Sequence, residues 1–282
     1  TGVIAHFRWP RWDDDVRKFF RALGPATVGS AGVQLALFAD TVIASFLVTG
    51  ALSALYYADR LNQLPIGVIG IAIGTVLLPD MARKIAAGDE PGASHAQNRA
   101  IELTLLLSIP CVAAFLIVPD LIMRALFQRG AFTAGDAQAA GATLSAYALG
   151  LVPFVLIRSA TATFFARGDT ATPVMASLIA VAVNIAFKIA LMGPLAQVGL
   201  ALATSIGAWI NLVLVLWFAW RADLLRIDAR LKRSLVILAA CGAALAIFLR
   251  YSHAPVAKWA SSKSLMGDEA ALMILAAASA LI

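Results

Sequence analysis

The sequence predicts an all-α polytopic membrane bundle of about eight transmembrane helices. Three observations carry this. Of 282 residues, 61% are hydrophobic and 13% charged, whereas a soluble domain carries about a quarter charged residues. The mean hydropathy is +0.86. Apolar runs long enough to cross a bilayer, about 20 residues each, recur along the whole chain and alternate with short polar breaks.

The spans fall at about 22–48, 54–78, 100–118, 137–165, 173–191, 199–220, 235–249 and from 270 onward. Polar punctuation separates them: Gly88-Asp89-Glu90-Pro91-Gly92, Arg167-Gly168-Asp169-Thr170 and Met192-Gly193-Pro194. Glycine, proline and capping side chains end helices at such places. The fifth and sixth spans lie so close in sequence that they must form a tight helical hairpin. Between the third and fourth, residues 121–127 read as a short amphipathic helix on the outer surface. Three segments follow: an interfacial lead-in at 1–21, a six-helix unit at 22–221, and two further helices at 222–282. The chain opens at Thr1 and ends inside an apolar run, so it reads as a fragment of a longer polypeptide.

The net charge is +6 and the pI about 9.7. A basic balance can signal nucleic acid, but here Lys and Arg sit in short loops rather than on one polar face, so no nucleic-acid partner is expected. Fourteen loop cations lie on the side of the amino terminus and five, from Arg124 to Lys263, on the other. The positive-inside rule then makes the first side cytoplasmic. Trp9, Trp12, Phe19 and Phe20 suit an interfacial lead-in, and Trp217 and Trp220 an aromatic belt. Cys111 and Cys241 each lie in an apolar run and are expected to be buried packing residues.

Charges inside spans are costly and face protein or trapped water rather than lipid. Five stand out: Asp40, Asp59, Arg60, Arg158 and Lys188. Steps of three and four put Arg60, Gln63, Gly67, Gly70 and Gly74 on one stripe of a helix. A guanidinium above a groove of small residues suits a phosphate group, with pairing to Asp59 or packing by the glycines as the plainer readings. Arg158, with Thr161 and Phe165 on its face, is either a second cation of the same cavity or a snorkelling side chain. Asn184 and Lys188 share one helix face, and Thr204 and Asn211 another. Oxygens of Asp40, Asn184 and Thr204 would suit a sodium ion, but a lysine amine competes for that place. The pattern therefore predicts a buried Asp40–Lys188 ion pair. No catalytic triad, phosphate loop or zinc spacing occurs, and His6, His95 and His253 read as loop residues. Neither an enzyme nor a cofactor nor a metal site is indicated.

The run Tyr56-Tyr57-Ala58-Asp59-Arg60-Leu61-Asn62-Gln63-Leu64-Pro65, continuing through Gly67, Gly70 and Gly74 to Pro79, closely resembles the signature of the lipid II flippase (MurJ, or MviN) family. Phe38-Ala39-Asp40-Thr41, Leu126-Phe127-Gln128-Arg129-Gly130-Ala131-Phe132-Thr133, and the stretch from Asn184 through Gly193-Pro194-Leu195 to Gly199 and Thr204 also match, in family order.

The resemblance implies half of a fourteen-helix transporter of the multidrug/oligosaccharidyl-lipid/polysaccharide (MOP) superfamily. This chain would be its second lobe plus two extra helices, working with a missing amino-terminal lobe of the same polypeptide. It implies the bacterial inner membrane as location, the bilayer as surroundings, and lipid II, an undecaprenyl diphosphate bearing a disaccharide–pentapeptide, as substrate. Arg60 matches an essential cavity arginine, Arg158 a basic position, and 222–282 a groove for the lipid tail. Some relatives place sodium among residues matching Asp40, Asn184, Leu200 and Thr204, with a carboxylate where this chain has Lys188. The fixed cation here sets sodium coupling in doubt. A polysaccharide-repeat-unit flippase and a drug/sodium antiporter of the same superfamily stay open as alternatives, as does a non-transporting scaffold.

Overall fold

The structure is a computed structural model that describes residues 41–48, 50–263 and 267–279, with isolated positions between 13 and 38. Every regular element among the described residues is helical: α1 (Ala51–Ala86), α2 (Glu90–Ile117), α3 (Pro119–Phe127), α4 (Ala134–Phe165), α5 (Ala171–Arg221), α6 (Ala229–Lys263) and α7 (Gly267–Ser279). A further helical stretch occupies 41–45. Most of the lead-in at 1–21 and most of the first span, Asp40 included, lie outside the described residues.

The polar punctuation ends helices as expected. Asp89 caps α2, its Oδ1 accepting from the Gly92 amide at 2.9 Å, and Pro91 stands in the first turn, where a missing N–H costs nothing. Thr133 and Asp136 form a reciprocal capping box at the start of α4. The short amphipathic helix is α3, which buries Leu121, Ile122, Met123 and Ala125.

The hairpin between spans five and six forms inside what is otherwise one 51-residue helix, α5. The break falls at Ala196 (φ 47°, ψ −128°), slightly beyond the expected Met192-Gly193-Pro194. Proline removes a backbone donor, but the chain reverses only where one residue leaves helical geometry altogether. The two limbs then run back along each other. A side chain at Gly199 would collide with the carbonyl of Leu191, and a Cβ at Gly207 would stand 2.9 Å from the Cβ of Asn184.

Which helix is central follows from burial. In α4, 61% of the most apolar window is buried, against 22% in α5 and 11% in α6. Accordingly α4 packs on α1, α2, α3 and α5, with Leu144, Leu151 and Val155 almost fully enclosed. The α6–α7 pair is peripheral: among the described residues it touches only α2, α3 and itself. Exposed Val68, Ile71, Val76, Val213 and Val236 have no protein cover. That surface is expensive in water and costs nothing against acyl chains.

Two sequence expectations need correcting for the same reason. Cys241 is exposed and Cys111 half-buried, because an apolar run in a membrane protein is covered by lipid as readily as by protein. His95 and His253 lie within α2 and α6 rather than in loops. A 28-residue helix is about 42 Å long at 1.5 Å per residue, so its polar ends project beyond a hydrocarbon core of about 30 Å.

Candidate functional site: two polar chambers sharing Lys188 and Thr204

Two cavities open between α1, α4 and the limbs of α5. The first, about 400 Å³, is lined by Thr41, Tyr56, Asp59, Gln63 and Tyr147 together with Lys188, Leu200 and Thr204. The second, about 350 Å³, is lined by Arg158, Ser177, Asn184 and Asn211, again with Lys188 and Thr204, on a floor of Phe154, Ile157, Ala180, Val181, Gly207 and Ala208. Lys188 and Thr204 therefore belong to both, and two constellations that looked separate in sequence form one polar tract.

The residues reach the tract for local reasons. On the first limb of α5, Asn184 and Lys188 lie one turn apart and are both buried, at 9% and 3% exposure. Space for Asn184 comes from the opposite limb, where Gly207 has no side chain to fill it. Thr204 donates its hydroxyl to the Leu200 carbonyl at 3.0 Å, which leaves the oxygen lone pairs as acceptors. On α1, Gln63 donates to the carboxylate of Asp59 one turn earlier. The amide thus neutralises part of the acid's demand for donors without adding charge.

The two chambers differ in sign. The first contains a carboxylate, Asp59, beside the ammonium of Lys188. The second contains Arg158 and Lys188 and, among the described residues, no acidic side chain. Among the described residues Arg158 forms no ion pair. An arginine fork with hydroxyl and amide groups nearby is chemistry for an anion that also carries hydrogen-bonding groups.

Arg60 departs from its expected place. It is exposed and lines neither chamber; its guanidinium carbon stands 4.8 Å from the ring centre of Tyr56. A cation over an aromatic face is held by the ring quadrupole, and that ring itself lines the first chamber. The glycine stripe below Arg60 also differs from a helix-packing motif. Gly67 and Gly74 face open space, and Gly70 faces the side chain of Arg158.

Sequence reasoning missed Ser177, Tyr147 and the paired charges of α2. Glu102 falls inside the apolar run at 100–118 yet escaped notice, and its depth in a span was the available signal. It binds Arg99 and accepts from Ser234 at 2.8 Å; Arg99 also meets Asp228 at 2.6 Å. The expected Asp40–Lys188 pair has one member outside the described residues, so Lys188 alone is placed.

At the amino-terminal end of α1, the matched motifs meet. Tyr57 packs on Phe127 and Phe132, with ring centres 4.9 and 5.0 Å away, which fastens the start of α1 to the segment after α3.

Kinked helices of bilayer length around a polar tract make this a multi-pass membrane protein. The fold agrees: a MATE multidrug transporter of the MOP superfamily in its outward-facing conformation superposes with a TM-score of 0.66 over 86% of this chain and 56% of that one, at 18% identity. Lipid II flippase MurJ in an inward closed conformation superposes with a TM-score of 0.69 over 90% of this chain and 52% of the other, at 23% identity. The family model of lipid II flippase MurJ matches residues 1–266, and the chain belongs to that family. The probable lipid II flippase MurJ of Rhizobium meliloti is 38% identical over 260 residues, 91% of this chain and 48% of its own length. The chain spans about half the length of the curated relatives it matches. It is a multi-pass membrane protein of a transporter family, not an enzyme family.

Proposed function

We propose that this chain is the second lobe, with the two helices that follow it, of a flippase that moves lipid II across the bacterial inner membrane by alternating access. Residues 22–221 form the lobe, 222–282 line a groove for the polyprenyl tail, and 1–21 lead in from the cytoplasm. The observation that carries the reading is Arg158, which lines a chamber with Ser177, Asn184 and Asn211 and meets no carboxylate among the described residues. A diphosphate headgroup needs fixed cations to replace the water it leaves, and Arg binds phosphate oxygens bidentately. Arg60, on the rim beside Tyr56, makes the first contact. Asp59 and Gln63 orient the entrance, and Arg158 receives the headgroup deeper in. A positive cavity also responds to membrane potential, each unit charge contributing about 2.3 kcal/mol per 100 mV moved.

Lys188 stands for the sodium ion in this reading. Its ammonium, in a chamber with Asn184 and Thr204, supplies a tethered charge, so transport proceeds without sodium. The basic chamber also disfavours a drug antiporter, whose cationic cargo needs acids.

One set of variants of the full-length polypeptide tests both statements, in flippase-depleted cells and in a lipid II translocation assay with and without sodium. Arg60→Ala and Arg158→Ala are expected to fail complementation, while Arg60→Lys retains part of it; wild type runs equally in both salts. Full growth with both alanine variants sinks the flippase reading. A Lys188→Asp protein that is no more sodium-dependent than wild type ends the tethered-cation reading.

A further inference from the structure

We infer that Gly70 is a positioning residue: its bare Cα is the seat on which the stem of Arg158 lies, and the seat aims the guanidinium into the chamber. A Cβ at position 70 would stand 2.5 Å from Cδ, 2.6 Å from Nε and 3.4 Å from Cζ of Arg158. The first two are closer than any real side chain tolerates. Gly70 has no left-handed backbone that would require glycine, so space, not conformation, is what the residue provides. Glycine inside a helix is otherwise less favourable than alanine.

The neighbours sharpen the assignment. Gly67 and Gly74 lie on the same stripe of α1, and nothing comes within 4 Å of a Cβ at either. Two glycines at helix crossings meet backbone instead: Gly150 stands against the Cα of Ser205, at 2.8 Å from its would-be Cβ, and Gly199 against the carbonyl of Leu191. Gly70 alone among these three is closed by the far end of a flexible, charged side chain. A methyl group there displaces a guanidinium, whereas at the other two it displaces a helix.

The seat has a job because of where Arg158 sits on α4. It lies seven residues before Phe165, about two turns from the cytoplasmic end. A long cationic side chain at that depth would reach for the interface. Held against α1, its stem is fixed on one side by Gly70, and Arg158 lines the chamber together with Ser177, Asn184 and Asn211. Gly70 thereby sets how strongly the second chamber attracts an anion, without touching the ligand. This rests on the proposed reading of Arg158 as a cation for the lipid diphosphate.

The test is a double-mutant cycle in the full-length polypeptide, purified in detergent, with geranylgeranyl diphosphate as probe and uncharged geranylgeraniol as control. Arg158→Ala and Gly70→Ala are each expected to weaken diphosphate binding about tenfold, the scale of one charge-assisted contact. The Gly70→Ala/Arg158→Ala protein is expected to bind no worse than Arg158→Ala, and geranylgeraniol binding stays as in wild type. Losses that multiply to about a hundredfold, or unchanged affinity in Gly70→Ala beside a weakened Arg158→Ala, overturn the seat and leave Arg158 as a ligand contact. Normal binding by Arg158→Ala removes the parent reading, and the seat with it. Thermal melting covers a folding failure. A Gly70→Ala protein that melts early and recovers when Arg158 is truncated supports the seat; one that melts early in both backgrounds makes Gly70 a packing residue and overturns it.

Discussion

The seam between α4 and α5 and the seam between α2 and α6 join helices in the same membrane by opposite means. At α4–α5 the contact is small and neutral. Gly150 lets the Cα of Ser205 come close, and the Ser205 hydroxyl donates to the Ala146 carbonyl at 2.7 Å. Trp209 donates to the Leu149 carbonyl at 2.8 Å. At α2–α6 the contact is ionic: Arg99 binds Glu102 and Asp228, Arg230 Nε stands 3.6 Å from Glu102, and Asn98 donates to the Arg226 carbonyl at 2.9 Å. The α7 end repeats the theme, with Arg124 3.3 Å from Asp268 and Arg129 3.3 Å from Glu269.

The difference shows how to sort cations in such a protein. Those at the seams of the peripheral pair meet carboxylates and hold helices together. Arg158 meets none among the described residues, as the proposed binding role requires. The neutral α4–α5 seam is what makes this arrangement workable, because an acid placed there would quench the chamber.

The largest effect should come from Gly150→Ala. The methyl group would press on Ser205 backbone, which cannot rotate away, and overpacking of this kind costs about 1–3 kcal/mol. Thermal melting of the full-length protein in detergent should fall by several degrees and be indifferent to salt. An unchanged melt would mean the seam is looser than its geometry. Next comes Glu102→Gln, which strips Arg99 and Arg230 of a shared carboxylate that is only 14% exposed. Solvent access at Arg99 and Arg230 reduces the cost below that of a dry pair, to about 1–2 kcal/mol. Here high salt should shrink the gap from wild type; a salt-independent gap would count against an ionic seam.

The smallest effect concerns pH. The Leu231 backbone amide, donating to Asp228, holds this carboxyl below the usual carboxylate range; partial burial opposes the shift and Arg99 adds to it. A carboxylate depressed in the folded state contributes stability above its unfolded pKa, about 3.9, and loses it as pH falls through the folded value. Asp228→Asn keeps a capping side chain for α6 and removes the charge. Its melting deficit at pH 6 should be slight and should shrink as pH falls below the unfolded value of about 3.9. A deficit that persists in acid would assign the effect to capping rather than charge.

Much was legible before any coordinates. A run of apolar residues near bilayer length can only be a spanning helix, because lipid offers the backbone no partners. Hence α1, α2, α4, α5 and α6 lie where hydropathy puts them, and Gly88 to Gly92 and Arg167 to Thr170 end helices as their side chains require. Family membership was likewise readable from the run through Tyr56, Arg60 and Pro79.

The partners of charges were not readable. Helical period puts Arg60 and Gly70 on one stripe, but it cannot say that Arg158, 88 positions beyond Gly70, lies against that glycine while Arg60 turns to Tyr56. Nor can it reveal that Glu102 answers Arg99 and Ser234, or that Lys188 borders two chambers. Hydropathy is a property of one segment against lipid, and it acts residue by residue. Contact between charges depends on how helices far apart in sequence cross, and that is decided by small residues such as Gly150 and Gly207 only once the bundle has closed.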